Sequence, residues 1–133
     1  MCLALPDGVR VSSEEHRHSV HGAGTGWIDV QTVQSIEDGP ESAADGLEAL
    51  RRRYETSGFT DVRDARLADL AGMPAGVVDA DIAWHGSRYR RRSFSVRVGG
   101  GWLVADITAP TDEFADAQQR WEPILRGATW ERN

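Results

Sequence analysis

The chain has 133 residues, enough to bury an ordinary apolar core in one domain without disulfides or structural metal, and its single Cys2 excludes an internal disulfide. Fifteen basic side chains, all arginine, stand against 21 acidic ones for a formal charge of −6. That balance argues against nucleic acid as a partner, because counterion release needs a strongly segregated basic face. No apolar run reaches the roughly 18 residues of a membrane span, and Met1–Arg10 lacks the basic start and apolar centre of a signal peptide. A reducing, cytoplasmic compartment is expected.

Leu3–Leu5 before Pro6-Asp7-Gly8 predicts a short strand entering a turn, since proline fixes φ and Asp-Gly supports turn geometry. Val9–Ser12 resumes it. Glu14–Gly26 is polar and ends in Gly22, Gly24 and Gly26, which predicts a mobile connection with room for an edge strand. Trp27–Ile36 has Ile28, Val30 and Ile36 on one face and Trp27 and Val33 on the other, the pattern of a central strand. A helix is expected from Pro40 to Ser57: Asp38 and Glu41 have capping-box spacing, Pro40 falls in the first turn, and Gly58 stops it. Ala43, Leu47, Leu50 and Tyr54 make its apolar stripe.

A strand over Asp64–Leu70 and a turn at Gly72-Met73-Pro74 come next. Val78, Ala80, Ile82 and Trp84 then alternate with Val77, Asp79 and Asp81, and His85-Gly86-Ser87 closes a hairpin. In the partner strand, Arg88–Val98, Phe94, Val96 and Val98 share the apolar side, opposite Arg91, Ser93, Ser95 and Arg97. Gly99–Gly101 turns into a third strand, Trp102–Ala109, so the centre reads as an antiparallel meander. Thr111 is the expected N-cap of a last helix whose stripe is Phe114, Ala117, Trp121 and Leu125. Pro123 predicts a break near Trp121–Pro123 and a short second piece ending at Gly127, with Trp130 folding back over an edge.

Candidate chemistry is sparse. His16, His18 and His21 form the one cluster with metal-ligand character, but a zinc site needs three or four fixed ligands, and this stretch reads as a loose polar connection. Arg51–Arg53 and the arginines around Tyr89 are better explained as helix-surface and cross-strand partners of acids such as Asp79 and Asp81. His85 has no adjacent nucleophile, Cys2 has no histidine companion, and Gly99–Gly101 lacks the following lysine and helix of a phosphate loop. No catalytic centre, metal or cofactor is expected.

Leu5-Pro6-Asp7-Gly8, Leu70-Ala71-Gly72-Met73-Pro74-Ala75 before the meander, and Phe114 through Trp121 to Ile124-Leu125 carry a further reading. Their order and spacing resemble the PsbP-like superfamily, including the DcrB-like bacterial domains, over nearly the whole chain. The resemblance implies an α/β/α sandwich about a central antiparallel sheet; with the elements above, the expected fold class is α+β, with one long helix after the second strand and a C-terminal helix broken near Pro123. The resemblance also implies a non-catalytic life as adaptor, accessory subunit or secretion chaperone, with no shared catalytic residues.

The expected function is therefore a protein-binding domain, not an enzyme, that receives a segment of a partner, such as a secreted effector, on a sheet face or groove. Trp84, Tyr89, Arg91 and Trp102 are the candidate contacts, because aromatics and arginine dominate binding energetics where exposed together. Self-association into a homodimer stays open, and no membrane is involved. Two alternatives remain: a small-ligand-binding or enzymatic cone-like α+β domain with Asp106 and Asp81 in a cavity between sheet and helix, and an immunity-type toxin inhibitor whose acidic surface meets a basic partner.

Overall fold

The structure, a computed structural model, describes residues 1–14, 16–22, 24–34, 42–56, 60–98 and 101–130, with backbone alone at 33, 34, 60 and 98. The described residues form an α+β fold of seven strands, a 3-10 turn and two α-helices. The strands are β1 (Arg10–Glu14), β2 (Arg17–His21), β3 (Trp27–Gln34), β4 (Thr60–Leu70), β5 (Met73–Trp84), β6 (Ser87–Val98) and β7 (Gly101–Pro110). Helix α1 (Ala43–Glu55) follows β3, and α2 (Phe114–Arg126) follows the 3-10 turn Thr111–Glu113. All neighbouring strands pair antiparallel, in the order β1-β2-β3-β7-β6-β5-β4. No helix among the described residues is long and apolar enough to cross a membrane.

Alternate residues of the central strands feed two apolar clusters, as the period of two requires. Leu103, Ala105, Ile107 and Ala109 of β7 join Ile28, Val77, Phe94 and Val96, and α2 adds Phe114, Ala117, Trp121 and Leu125, the stripe expected from sequence. Val78 and Val104 join Leu50 of α1, with Leu47 and Tyr54 packed alongside. Two glycines let α1 approach the sheet this closely. A Cβ on Gly46 would come within 2.5 Å of the Trp102 ring, and one on Gly76 within 2.8 Å of the Leu47 backbone.

Several boundaries differ from expectation. Leu3–Leu5 is not a strand; the N-terminus makes an isolated bridge, with Cys2 N–H donating to the Thr129 carbonyl at 2.8 Å. The polar stretch after it is a β1–β2 hairpin, so α1 follows the third strand and not the second. The strand expected over Val9–Ser12 and the edge strand expected within Glu14–Gly26 correspond to β1 and β2, but periodicity does not reveal their pairing because β1 is exposed throughout and only Val20 of β2 is buried. The cap of α1 is Ser42, whose Oγ accepts from the Asp45 N–H at 3.2 Å, while Asp38, Pro40, Glu41 and Gly58 lie outside the described residues, as does Ile36. β4 begins at Thr60 rather than Asp64, and the turn before β5 lies at Ala71-Gly72.

Thr111 does not cap α2 with its side chain; its Oγ1 is buried without a hydrogen-bond partner among the described residues. The expected break at Pro123 is replaced by one α2 that runs through Pro123 to Arg126. Trp121 and Leu125, both fully buried, fix the chain on either side of the proline, and packing outweighs the missing N–H. Trp130 does fold back, its indole N–H donating to the Ala71 carbonyl at 3.0 Å.

Candidate functional site

α1 crosses β5, β4 and β6 and covers only part of its sheet face. Strand register orders what lies beyond its C-terminal end. Tyr54 meets Ser93; the next cross-strand row is Trp27, Thr108, Arg91 and Ala80; the one after holds Pro110, Tyr89 and Ile82; Trp84 lies last. Five rings run along this edge, which neither described helix covers. His21 stacks on Trp27 at 5.7 Å and 21°, Trp27 meets Tyr89 edge-on at 6.0 Å, and Tyr89 meets Trp84 at 6.0 Å, with His85 a further 4.7 Å along. Trp27 and Tyr89 are half-buried, whereas Trp84 is 56% exposed. The turn that presents Trp84 has positive φ at both His85 (48°) and Gly86 (78°), the geometry of a tight two-residue hairpin.

Where the aromatic row meets α1, a polar cluster replaces the apolar core. Asp29 on β3 and Asp106 on β7 are direct cross-strand partners, and Ser93 on β6 is the next. Asp29 is buried and satisfied: the Ser19 hydroxyl and the Trp27 indole (3.0 Å) donate to it, and Arg17 pairs with it at 3.1 Å. Asp106 is not. Its Oδ1 is enclosed without a hydrogen-bond partner among the described residues, and burial holds its pKa above the ordinary carboxylate value although Arg91 and Ser93 pull it down. The Tyr54 hydroxyl, bonded to Ser93, is pushed up to about 12 by burial and then by the Asp106 charge. Burial works against the charge on Arg91, but Asp106, Tyr54 and Asp29 more than offset it, and its Nε donates to Thr108 Oγ1 at 2.9 Å. These groups enclose a cavity of about 130 Å³, lined by Arg17, Gln31, Arg53, Tyr54, Arg91 and Asp106 with Leu50 and Val104 as its apolar wall.

The structure thus brings Trp84, Tyr89 and Arg91 onto one face. Trp102 shares the face but not the site: it is 6% exposed and lies under Gly46 of α1. Asp81 lies on the opposite face from Asp106, held by Arg63 at 3.0 Å and Arg90 at 2.8 Å. Asp79 is likewise shared between Arg66 and Arg92, and Arg92 also reaches Glu122 of α2 at 2.9 Å. An open recess of about 410 Å³ beside this ladder is lined by already paired charges such as Arg63, Arg90, Arg92 and Asp79. Among the described residues no group of three or more side chains can hold a metal; His18 shares a hydrogen bond with Ser13, and His21 belongs to the ring row.

Trp27, Asp29 and Tyr54 are site residues that sequence reading passed over. The signal was present: Trp27, Asp29 and Gln31 alternate with Ile28 and Val30, so one face of β3 is polar and aromatic, not apolar.

No family model and no curated protein matches the sequence. Solved structures match the fold. Over 97% of its length the chain is similar to a Pseudomonas aeruginosa protein of unknown function, at TM-score 0.69 and 12% identity over 90% of that chain. A Bacteroides thetaiotaomicron structure gives TM-score 0.69 at 10% identity, with 98% of this chain covering 45% of that one. The cyanobacterial PsbP protein of Synechocystis gives TM-score 0.64 at 12% identity, over 92% of this chain and 81% of that one. The fold is PsbP-like.

Proposed function

We propose that this PsbP-like chain is a non-catalytic protein-binding domain, an adaptor of the secretion-chaperone kind, that holds a segment of a partner protein on the uncovered half of the α1 face. The observation that carries the reading is the row of five rings that includes the exposed Trp84, with Arg91 beside it. Exposed aromatics next to arginine are the residues that concentrate binding energy in protein interfaces, and contiguous apolar patches are rare on surfaces that meet only water. Trp84, Tyr89 and Arg91 are the contacts, Trp27 extends them, and Trp102 supports the site from beneath α1. In this reading the sheet is the middle layer of an α/β/α sandwich of the DcrB-like type, the compartment is the cytoplasm, and a secreted effector is the partner expected.

The test is a comparison of captures from the native host by the parent chain and by a Trp84→Ala/Tyr89→Ala variant, with light scattering on the free protein. One stoichiometric protein retained by the parent and lost by the folded variant supports the reading. Equal recovery by both, or a homodimer that buries the ring row, sinks it. A second reading, a small-molecule binder, is favoured by the enclosed Asp106, but about 130 Å³ falls short of the several hundred Å³ that drug-sized ligands occupy.

A further inference from the structure

We propose that the cavity beside Tyr54 is the selectivity pocket of this docking face and takes one primary carboxamide, the side chain of an asparagine or glutamine in the partner segment. The proposal rests on the protein-binding reading above and specifies its chemistry. Asp106 lines the cavity, and its Oδ1, closed off from solvent, has no hydrogen-bond partner among the described residues, so a group that opens the wall there meets an acceptor that calls for an N–H or O–H. Arg53, exposed at the C-terminal end of α1, and Gln31 supply donors elsewhere on the lining. A group that donates to one wall and accepts from another satisfies both.

Charge narrows the choice further. An ammonium or guanidinium group would meet Arg17, Arg53 and Arg91, whereas a carboxylate would find Arg17 and Arg91 already engaged with Asp29 and Asp106, Arg53 as its remaining cation, and the Asp106 carboxylate against it. A neutral amide meets neither repulsion. Its planar head presents donor and acceptor at fixed separation, and Leu50 and Val104 offer an apolar wall for the methylene stem. The volume of about 130 Å³ suits a single side chain, not a free metabolite. Trp27, in the next cross-strand row, then places the flanking residues of the segment on the aromatic row.

The full chain, labelled with ¹⁵N, is titrated with propionamide and separately with propionate, propylammonium and 1-propanol, following the Trp27 indole and Gln31 side-chain signals. Propionamide should give saturable shifts, with the other three at least about tenfold weaker. Asp106→Asn should weaken propionamide about tenfold, since it trades a charged acceptor for a neutral one. Equal saturation by any of the three other probes, or unchanged binding in Asp106→Asn, overturns the pocket. Trp84→Ala should leave propionamide binding intact, which separates the two proposals. Loss of partner capture with propionamide selectivity retained defeats only the docking face, and capture without selectivity defeats only the pocket.

Discussion

The two faces of the sheet treat aspartate in opposite ways. On the α2 face, Asp79 and Asp81 each lie between two arginines, and those arginines hold both pKa values below the ordinary range in spite of partial burial. On the α1 face, Asp29 is satisfied by three donors, while burial raises the pKa of its cross-strand neighbour Asp106, whose enclosed Oδ1 has no hydrogen-bond partner among the described residues. Alternating Asp and Arg on β5 and β6 closes one surface with its own charges. The other surface has its charges at the foot of an aromatic row, with one carboxylate oxygen that has no hydrogen-bond partner among the described residues.

The largest effects should come from the cores that hold these faces in place. Trp121→Ala should cost about 3–5 kcal/mol, since a fully buried indole is lost together with its bond to the Thr25 carbonyl at 3.1 Å. Leu50→Ala, 6% exposed on the α1 side, should cost about 2–4 kcal/mol. Denaturant melts decide both, and a loss below about half a kcal/mol at Leu50 would show that α1 does not pin its face.

The aspartates give the sharper contrast, because their pH signatures run in opposite directions. Asp79→Asn should destabilise by about 1–3 kcal/mol at neutral pH by leaving Arg92, only 15% exposed, short of its carboxylate. The folded pKa of Asp79 is lowered, so its contribution is present above the unfolded value near 3.8 and is lost as pH falls through the folded one. The gap between variant and parent should close in acid. Asp106 has the reverse sign. Its folded pKa is raised, so its contribution is fully present below the unfolded value and is lost as pH rises through the folded one. Asp106→Asn should therefore match the parent near pH 4 and be the more stable protein at pH 7, by an amount on the order of 1 kcal/mol. Melting curves that shift in parallel for the two variants would erase the contrast between the faces.

Much of this was legible in the sequence because one face or stripe was apolar. The α2 stripe and the alternation of Val78, Ala80, Ile82 and Trp84 follow from periods of 3.6 and 2, and Asp–Arg pairs across β5 and β6 are expected of the hairpin, although the arginines that make them, Arg90 and Arg92, lie on the Phe94 side of β6. What failed had no apolar contrast to reveal it. The pairing of β1 with β2 buries Val20 alone, so their two stretches read as separate strands and not as a hairpin, and Pro123 reads as a break because local rules carry no knowledge of Trp121 and Leu125 held in the core. The polar cluster was half visible: Asp106 stood out within an apolar strand, but Asp29 and Tyr54 become its neighbours only through the β3–β7 register and the placing of α1.

The smallest effect on stability should be the most telling about function. Trp84 is 56% exposed within the ring row, so Trp84→Ala removes little burial and should change stability by less than about 0.5 kcal/mol. Its Tyr89 and His85 contacts, at 6.0 and 4.7 Å, are worth little where water reaches the rings. If the ring row docks a partner, the same change should weaken that complex at least tenfold, because an exposed tryptophan becomes a hot spot only when a second surface dries it. Trp121→Ala would lower binding only through the fraction of folded chain. A variant that melts with the parent yet releases the partner would therefore place the contact on the α1 face; one that melts with the parent and binds as before would leave Trp84 an idle ornament of a hairpin turn.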